Sequence, residues 1–214
     1  MGDRWAEHPI RPGRSDSPAS IVLAAATLVV AVLSNLVPLA GWLAAGASPV
    51  FDFQMWRPLL YALTTGSILQ GIINGVFLVL VGRSLEPLLG SADFAAVYLL
   101  SGLGGATALS LTGVPASFSG AICGIFGILA ATAVIKHLEH QDIRGDIILI
   151  TLFVIWGILA GARDWTADIG AIVIGAVIGW VWARNRWATR GRSRIAYAVV
   201  AVVCLAALVV TWLT

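Results

Sequence analysis

The chain has 214 residues, of which 59% are hydrophobic and 11% are charged, with a formal net charge of +2. Soluble domains contain about 25% charged residues, so this composition excludes an ordinary soluble protein. A mean hydropathy of +0.92 and several long apolar runs predict a polytopic membrane protein, whose environment is the lipid bilayer. The small net charge gives no support for nucleic-acid binding, because membrane topology accounts for the arginines.

Seven apolar segments are predicted to cross the membrane. The segment 1–18 before them is too polar for the apolar part of a signal peptide and is predicted to be a cytoplasmic tail. In chain order the predicted spans are Ile21–Val37, Ile68–Val81, Phe94–Leu111, Phe118–Ile135, Ile147–Ala160, Ala167–Trp182 and Ile195–Leu213. We therefore predict an all-α bundle with a six-span membrane domain over 19–185, a basic loop over 186–194 and a seventh span over 195–214.

The distribution of basic residues predicts the orientation of the spans. With the N-terminus in the cytoplasm, the inner segments hold eleven of the 13 Lys and Arg residues, and only Arg57 and Arg163 lie outside. Cytoplasmic loops carry an excess of Lys and Arg, so this bias favours that orientation. The C-terminus of a seven-span chain then lies outside, and the start of the fourth span lies near the outer face.

A serine stands at the start of the fourth span, in the stretch from Pro115 to Gly127. Ser119 is followed by Gly120, Gly124 and Gly127. Glycines at this spacing give a helix a face on which another backbone packs closely. A hydroxyl at the mouth of such a helix is a candidate nucleophile if a base lies beside it.

The sixth span carries a matching pattern. Asp168 opens it, and the small residues Ala171, Gly175 and Gly179 follow at intervals of four. Two small-residue faces bring helices close enough for Ser119 and Asp168 to meet near the outer face. A carboxylate at a span mouth is a candidate functional residue. The same pattern also fits glycines that only pack helices and an aspartate that is hydrated at the interface.

Two amide side chains lie on one face of the second span. Gln70 and Asn74 are one helical turn apart, and both need hydrogen-bond partners in hydrocarbon. Beside the serine they would donate to an oxyanion. Alternatively, they join neighbouring helices through hydrogen bonds.

The three histidines lie away from Ser119. His8 is in the tail, and His137 and His140 are in the predicted cytoplasmic loop after the fourth span. A serine hydroxyl is a weak nucleophile and needs an adjacent base. The missing histidine is therefore the main obstacle to interpreting the serine as catalytic.

No metal or cofactor is predicted, because no group of residues has the spacing of zinc ligands. The two cysteines, Cys123 and Cys204, lie inside apolar runs. Small buried cysteines of this kind are typical packing residues, so no disulfide is predicted.

Three further motifs occur in order before Ser119. They are Trp56-Arg57, Gly82-Arg83-Ser84-Leu85-Glu86-Pro87-Leu88-Leu89-Gly90 and Tyr98-Leu99-Leu100-Ser101-Gly102-Leu103-Gly104-Gly105. Together with Ser119-Gly120-Ala121 and the glycines after it, they resemble the rhomboid intramembrane serine proteases over roughly Trp56 to Gly179. A seventh, C-terminal span resembles the bacterial form of the family, which implies a multi-pass protein of a bacterial plasma membrane.

The resemblance implies cleavage of membrane-spanning substrates by a serine on the fourth span and a histidine on the sixth. It also implies an oxyanion site formed by the serine N–H and by a His and an Asn on the second span. In this sequence Ser119 matches the nucleophile, Asn74 the asparagine and Gly120 the glycine after the serine. The positions that depart from the family pattern are Ser117 for a motif glycine, Gln70 for the second-span histidine and Asp168 for the general base.

These departures predict very low or no peptidase activity. An aspartate that accepts a proton becomes neutral and supplies no cation beside an oxyanion, and loss of a triad member costs about 10⁴ or more in rate. The first hypothesis is therefore a catalytically degenerate rhomboid-like protein that binds transmembrane segments of other proteins. The second is an active intramembrane serine endopeptidase in which Asp168 is the base for Ser119. A channel or transporter would need a polar stripe through the membrane, and the inner halves of the spans show none.

Overall fold

The computed structural model describes residues 18–37, 39–48, 53–159, 164–185 and 190–213. Within these ranges the chain is helical, and the one extended pairing there is a bridge between Ala45 and Ser117. The helices are α1 (Pro18–Leu36), α2 (Leu39–Leu43), α3 (Trp56–Leu60), α4 (Ile68–Leu89), α5 (Ser91–Leu111), α6 (Gly120–Leu138), α7 (Arg144–Leu159), α8 (Trp165–Asn185) and α9 (Arg190–Leu213). A 3-10 turn, Tyr61–Leu63, follows α3.

Six of the described helices are long and apolar enough to cross a membrane, namely α1, α4, α5, α6, α8 and the Ile195–Leu213 part of α9. The predicted all-α, multi-pass membrane bundle is therefore confirmed. The predicted fifth span coincides with α7, whose 16 residues are fewer than the usual length of a span. Its predicted last residue, Ala160, lies outside the described residues, as do residues 1–17 of the tail and 186–189 of the basic loop.

The helix at the second span is longer than the span predicted there. α4 continues beyond Val81 to Leu89, and α5 begins at Ser91, directly after Gly90. Gly90 turns the chain with φ at 88°, a conformation that favours glycine. In this added part of α4, Arg83 and Ser84 are exposed, whereas Gly82 and Glu86 are buried against α1.

The buried carboxylate of Glu86 accepts hydrogen bonds from the first turn of α1. The backbone N–H groups of Ala19 and Ser20 donate to its two oxygens at 2.7 and 2.9 Å, and the Ser91 hydroxyl donates at 2.6 Å. First-turn N–H groups have no partner inside their own helix and form the positive end of the helix dipole, so a carboxylate stabilises them. Gly82 leaves room for this contact, because a side chain on it would overlap Ser20.

The core of the bundle is formed by α5, α6 and α8. In the 18-residue apolar stretches of α5 and α6, 61% and 67% of the residues are buried, against 22% in the corresponding stretch of α1. The contacts between α6 and α8 are backbone contacts. A side chain on Gly175 would overlap the backbone of Gly127, and one on Gly179 would lie 2.7 Å from the Cα atom of Ala131. This packing fixes the position of α8 against α6.

α5 closes the third side of this core. Gly124 of α6 lies against the ring of Tyr98, so that a side chain in its place would overlap the ring. A side chain on Gly104 would lie 3.1 Å from the carbonyl oxygen of Gly170 on α8. Ala171, one position further along α8, is fully buried. The first turns of α6 and α8 are therefore brought together at one end of the bundle.

Candidate functional site

The loop between α5 and α6, residues 112–119, is held by the segment that follows α2. Ser117 exchanges two backbone hydrogen bonds with Ala45, at 2.8 and 3.2 Å, and the N–H of Ala47 donates to the carbonyl of Val114 at 2.7 Å. These bonds satisfy backbone groups that have no helical partner. The loop therefore reaches α6 along a fixed path.

Ser119 is the N-cap residue of α6, but its hydroxyl does not cap the helix. Thr64 instead accepts hydrogen bonds from the first two N–H groups of α6. Its hydroxyl accepts from Gly120 at 3.1 Å, and its carbonyl accepts from Ala121 at 2.9 Å. Glycine is required at position 120, because a side chain there would overlap the carbonyl of Tyr61. The start of α6 is thus positioned without the Ser119 side chain.

The Ser119 hydroxyl lies beside the turn that precedes α4. A side chain placed on Gly66 would be 3.7 Å from Ser119 Oγ and 3.0 Å from Gln70 Oε1. The N–H of Gly66 donates to the same Gln70 oxygen at 3.0 Å. The amide oxygen of Gln70 is therefore used by the backbone, and its NH₂ group is the part that can donate to a bound molecule.

Asn74 lies one turn further along α4 and is 5% exposed. Its amide nitrogen has no hydrogen-bond partner among the residues that the structure describes, and the same holds for the buried hydroxyl of Thr65. A buried donor without a partner costs about 1–3 kcal/mol. The first turns of α4 and the turn that precedes it therefore hold unused hydrogen-bonding capacity.

Asp168 lies on the first turn of α8 and is nearly buried. Its carboxylate accepts a hydrogen bond from the thiol of Cys123 at 3.6 Å, and the same thiol lies 4.0 Å from the carbonyl oxygen of Ser119. Cys123 follows Ser119 by one helical turn of α6. Among the described residues no hydrogen bond joins the Ser119 hydroxyl to Asp168. The two predicted side chains are thus on adjoining helices, with the thiol in contact with the carboxylate.

The Ser117 hydroxyl makes three hydrogen bonds at the site. It donates to the carboxylate of Asp164 at 3.0 Å and contacts the Tyr61 hydroxyl at 2.8 Å. It also accepts the backbone N–H of Ser119 at 3.3 Å. Burial raises the pKa of Tyr61 well above its ordinary value, so Tyr61 stays neutral. Because Ser117 has one hydroxyl proton and donates it to Asp164, the Tyr61 hydroxyl is the donor to Ser117. The backbone N–H of Ser119 is therefore already hydrogen-bonded to the Ser117 hydroxyl.

The histidines of the described chain are far from this site. His137 and His140 are exposed and lie at the other end of α6, a helix whose 19 residues span about 28 Å. The third histidine, His8, lies outside the described residues. In the described part of the chain no three His, Cys, Asp or Glu side chains form a group that could hold a metal ion.

Four residues that make hydrogen bonds at the site were not predicted as part of it, namely Tyr61, Thr64, Cys123 and Asp164. A signal was present for Asp164, because it stands four residues before Asp168, where carboxylates on a helix face share one side. The position of Cys123, four residues after Ser119, was a similar signal. Nothing in the pattern indicated Tyr61, which reaches the site only through the fold.

These features define a polytopic helical membrane protein with a serine-bearing loop at the mouth of its central helix. A family model described as the Rhomboid domain matches residues 52–187, which is more than half of the chain. The chain therefore belongs to the rhomboid family, as the resemblance predicted.

One relative of this chain is the RHOMBOID-like protein 5 of Arabidopsis thaliana. The two are 24% identical over 140 residues, which is 62% of this chain and 45% of that protein. The chain thus spans less than half of the length of that relative. The match supports the family but carries no residue-level assignment.

Proposed function

We propose that this rhomboid-family membrane protein has little or no peptidase activity and that it binds transmembrane segments of other membrane proteins. The observation that carries the proposal is the contact between Cys123 and Asp168. The carboxylate at the position of the family's general base is in contact with a thiol, and the Ser119 hydroxyl is not hydrogen-bonded to it. Without an adjacent base, the hydroxyl stays a weak nucleophile.

The identity of Asp168 supports the same conclusion. A histidine that takes the serine proton becomes a cation, which stabilises the oxyanion that forms beside it. An aspartate in the same step becomes neutral and offers no such charge. Even with Ser119 turned towards Asp168, the pair would therefore lack part of the stabilisation that a histidine provides.

The oxyanion side of the site is also incomplete. The resemblance implies that the N–H of Ser119 is one of the donors, and Ser117 already accepts that N–H. Asn74 and Gln70 still offer amide nitrogens. These unused donors support binding of a segment whose backbone carbonyls are exposed, because such carbonyls need partners inside a membrane.

An active endopeptidase with Asp168 as the base is the second candidate function. The observation in its favour is that Asp168 is nearly buried and contacts Cys123, which lies one helical turn after Ser119 on α6. A rotation of the Ser119 side chain and displacement of the thiol would be needed to pair the two groups. The same experiment separates the two functions.

The experiment is labelling of the purified protein by a fluorophosphonate probe. We expect no labelling of the wild-type protein above that of Ser119→Ala, and measurable labelling of Asp168→His, because an imidazole would supply the missing base. Ser84→Ala is a matched control, since Ser84 is an exposed serine at the other end of α4. Strong wild-type labelling that Ser119→Ala removes and Ser84→Ala retains would establish the active enzyme instead.

Binding is tested with a fluorescent synthetic single-span peptide in nanodiscs that contain the purified protein. We expect saturable binding that survives Ser119→Ala and weakens in Asn74→Leu, which removes the unpartnered donor. Leu69→Ala, an exposed change on the same helix, should leave the affinity unchanged. If no single-span segment binds saturably, the binding function is rejected regardless of the labelling result.

The proposed location is a bacterial plasma membrane, with the N-terminus in the cytoplasm and the C-terminus outside. It is supported by the bias of Lys and Arg residues to one side. In a Cys123→Ala, Cys204→Ala background, a membrane-impermeant maleimide added to intact cells should label Ala116→Cys but not Gln141→Cys. The opposite pattern would reverse the orientation.

A further inference from the structure

A cavity of about 490 Å³ lies between α4, α6 and α7. It is bordered by the C-terminal half of α6 and is therefore at the opposite end of that helix from Ser119. Its volume lies in the range of ordinary ligand sites. Nothing in the proposed function uses this cavity.

The walls of the cavity change in character along the membrane normal. Its inner part is lined by the apolar side chains of Phe77, Leu129 and Leu149. Its charged lining residues lie only at the end where α6 finishes and α7 begins. Leu129 and Lys136 are seven residues apart on α6, so the apolar part extends about 10 Å from the charged end. An amphiphile with a headgroup at the helix ends and a hydrocarbon tail directed inward has the same order of polarity.

The charged end carries both signs. Lys136 and Asp146 form a salt bridge at 2.8 Å, and both side chains are partly accessible, at 35% and 15%. Glu139 accepts a hydrogen bond from Gln141 at 3.0 Å, and all four residues line the cavity. One ammonium group therefore faces the cavity together with two carboxylates.

We propose that this cavity binds one phospholipid with a phosphoethanolamine headgroup. The phosphate takes the ammonium of Lys136 as its partner, and the primary ammonium of the headgroup donates to the carboxylates of Glu139 and Asp146. The acyl chain lies along the apolar wall towards Phe77 and Leu129. Each charged group at the mouth of the cavity thereby meets an opposite charge.

The lining discriminates between headgroups. A phosphoglycerol headgroup carries a net negative charge, which two carboxylates against one ammonium oppose. A choline headgroup carries a positive charge but has no N–H group, so it makes no hydrogen bond to a carboxylate. A transmembrane protein segment would need a groove across the full hydrocarbon thickness of about 30 Å, whereas this cavity covers about one third of it.

The experiment measures lipid binding to the purified full-length chain in detergent by native mass spectrometry. Dioleoyl phosphatidylethanolamine, phosphatidylcholine and phosphatidylglycerol are added singly at matched concentrations. We expect phosphatidylethanolamine to bind about tenfold more tightly than the other two, as charge-assisted hydrogen bonds imply. Equal affinity for phosphatidylethanolamine and phosphatidylcholine would overturn the proposal.

Charge variants at the mouth sharpen the experiment. Glu139→Gln should remove most of the preference for phosphatidylethanolamine. Glu139→Lys leaves two ammonium groups and one carboxylate and should shift the preference to phosphatidylglycerol. The matched control is Asp142→Lys, which makes the same charge change on an exposed residue of the neighbouring loop that does not line the cavity. An equal shift in Asp142→Lys would mean that general surface charge, and not the cavity, selects the lipid.

A volume variant tests the position of the lipid. Ser84 is exposed at the charged end of the cavity. Ser84→Trp should fill the mouth of the cavity and abolish the preference for phosphatidylethanolamine. The control Leu69→Trp, elsewhere on α4, should keep that preference. If Ser84→Trp keeps the lipid preference, or abolishes single-span peptide binding instead, the cavity does not hold a phospholipid. These outcomes are independent of Ser119 labelling.

Discussion

The central helix α6 has two neighbours of opposite kind. Against α8 it makes close backbone contacts, because a side chain on Gly175 or Gly179 of α8 would overlap the backbone of α6. Against α7 it makes one salt bridge and leaves a cavity. None of the α7 side chains that the structure describes is buried, and Ile148 and Leu152 are 65% and 66% exposed.

The difference shows what fixes a helix inside a membrane. α7 is strongly apolar, yet lipid is as good a neighbour for an isoleucine as another helix is. Close approach therefore depends on small residues at the contact itself, such as Gly175 and Gly179 of α8. No such contact joins the described part of α7 to α6, which are linked at one end by the salt bridge between Lys136 and Asp146. The α8 side of α6 is therefore closely packed, and the α7 side leaves a cavity of about 490 Å³.

The largest effect is expected from filling the α6–α8 contact. Gly175→Leu would force a side chain into the backbone of Gly127 and should cost about 3 kcal/mol or more. The measurement is the folded fraction and thermal unfolding of the purified protein in mild detergent. Gly145→Leu is the matched control, because Gly145 of α7 has open space around it. Equal destabilisation by both variants would remove the distinction between the two sides.

The next largest effect is expected at the serine loop. In an Asp168→His background, Ser117→Gly should increase fluorophosphonate labelling of Ser119 by about 10²-fold, because it releases the Ser119 N–H as an oxyanion donor. The measurement is the second-order labelling rate. Thr112→Gly is a control in the same loop, on a hydroxyl that bonds to its own helix and to Thr166. If the rate does not rise, the hydrogen bond from Ser119 to Ser117 is not what limits the site.

A smaller effect is expected from neutralising Glu86. Glu86→Gln keeps the shape of the side chain but weakens the acceptors of the α1 N-terminus, which should cost about 1–2 kcal/mol. The midpoint of thermal unfolding reports this loss. Glu139→Gln, the same chemical change on the α7 side, should move the midpoint much less, and the reverse order would contradict the role assigned to Glu86.

The smallest effect is expected from the salt bridge on the α7 side. Lys136→Gln should cost no more than about 1 kcal/mol, because a partly exposed ion pair contributes little and is screened by salt. Unfolding midpoints of the wild-type protein and the variant, at low and at high ionic strength, measure the loss of stability and its dependence on salt. A loss as large as that of Glu86→Gln would show that α7 is held more firmly than its contacts indicate.

The membrane fold was predictable because its determinants are local in sequence. Apolar runs of about 20 residues indicate which segments cross the membrane. Glycines at intervals of four indicate which helix faces pack together. The length of α4 was not predictable in this way. The polarity of Glu86 suggested the end of a span, and only the approach of α1 shows that this carboxylate has partners inside the bundle.

The site was less predictable than the fold. Ser119 and Asp168 were found from their positions at two span mouths, and the structure places them on adjoining helices. The contact of Cys123 with Asp168 depends on the rotation of α6 about its axis. The contact of Ser117 with Asp164 depends on a loop path that Ala45 holds. The rotation of α6 and the path of the loop cannot be read from the spacing of residues in a single sequence.

The binding of α1 by Glu86 has a consequence for the assembly of the protein. α1 is synthesised before α4, and the carboxylate that accepts its N–H groups lies 66 and 67 residues further along the chain. Until α4 has been inserted, the first turn of α1 has no such partner and relies on water or lipid headgroups at the membrane surface. α1 therefore gains this contact only after α4 has been inserted, and a Glu86 variant should accumulate as an inserted but protease-sensitive chain.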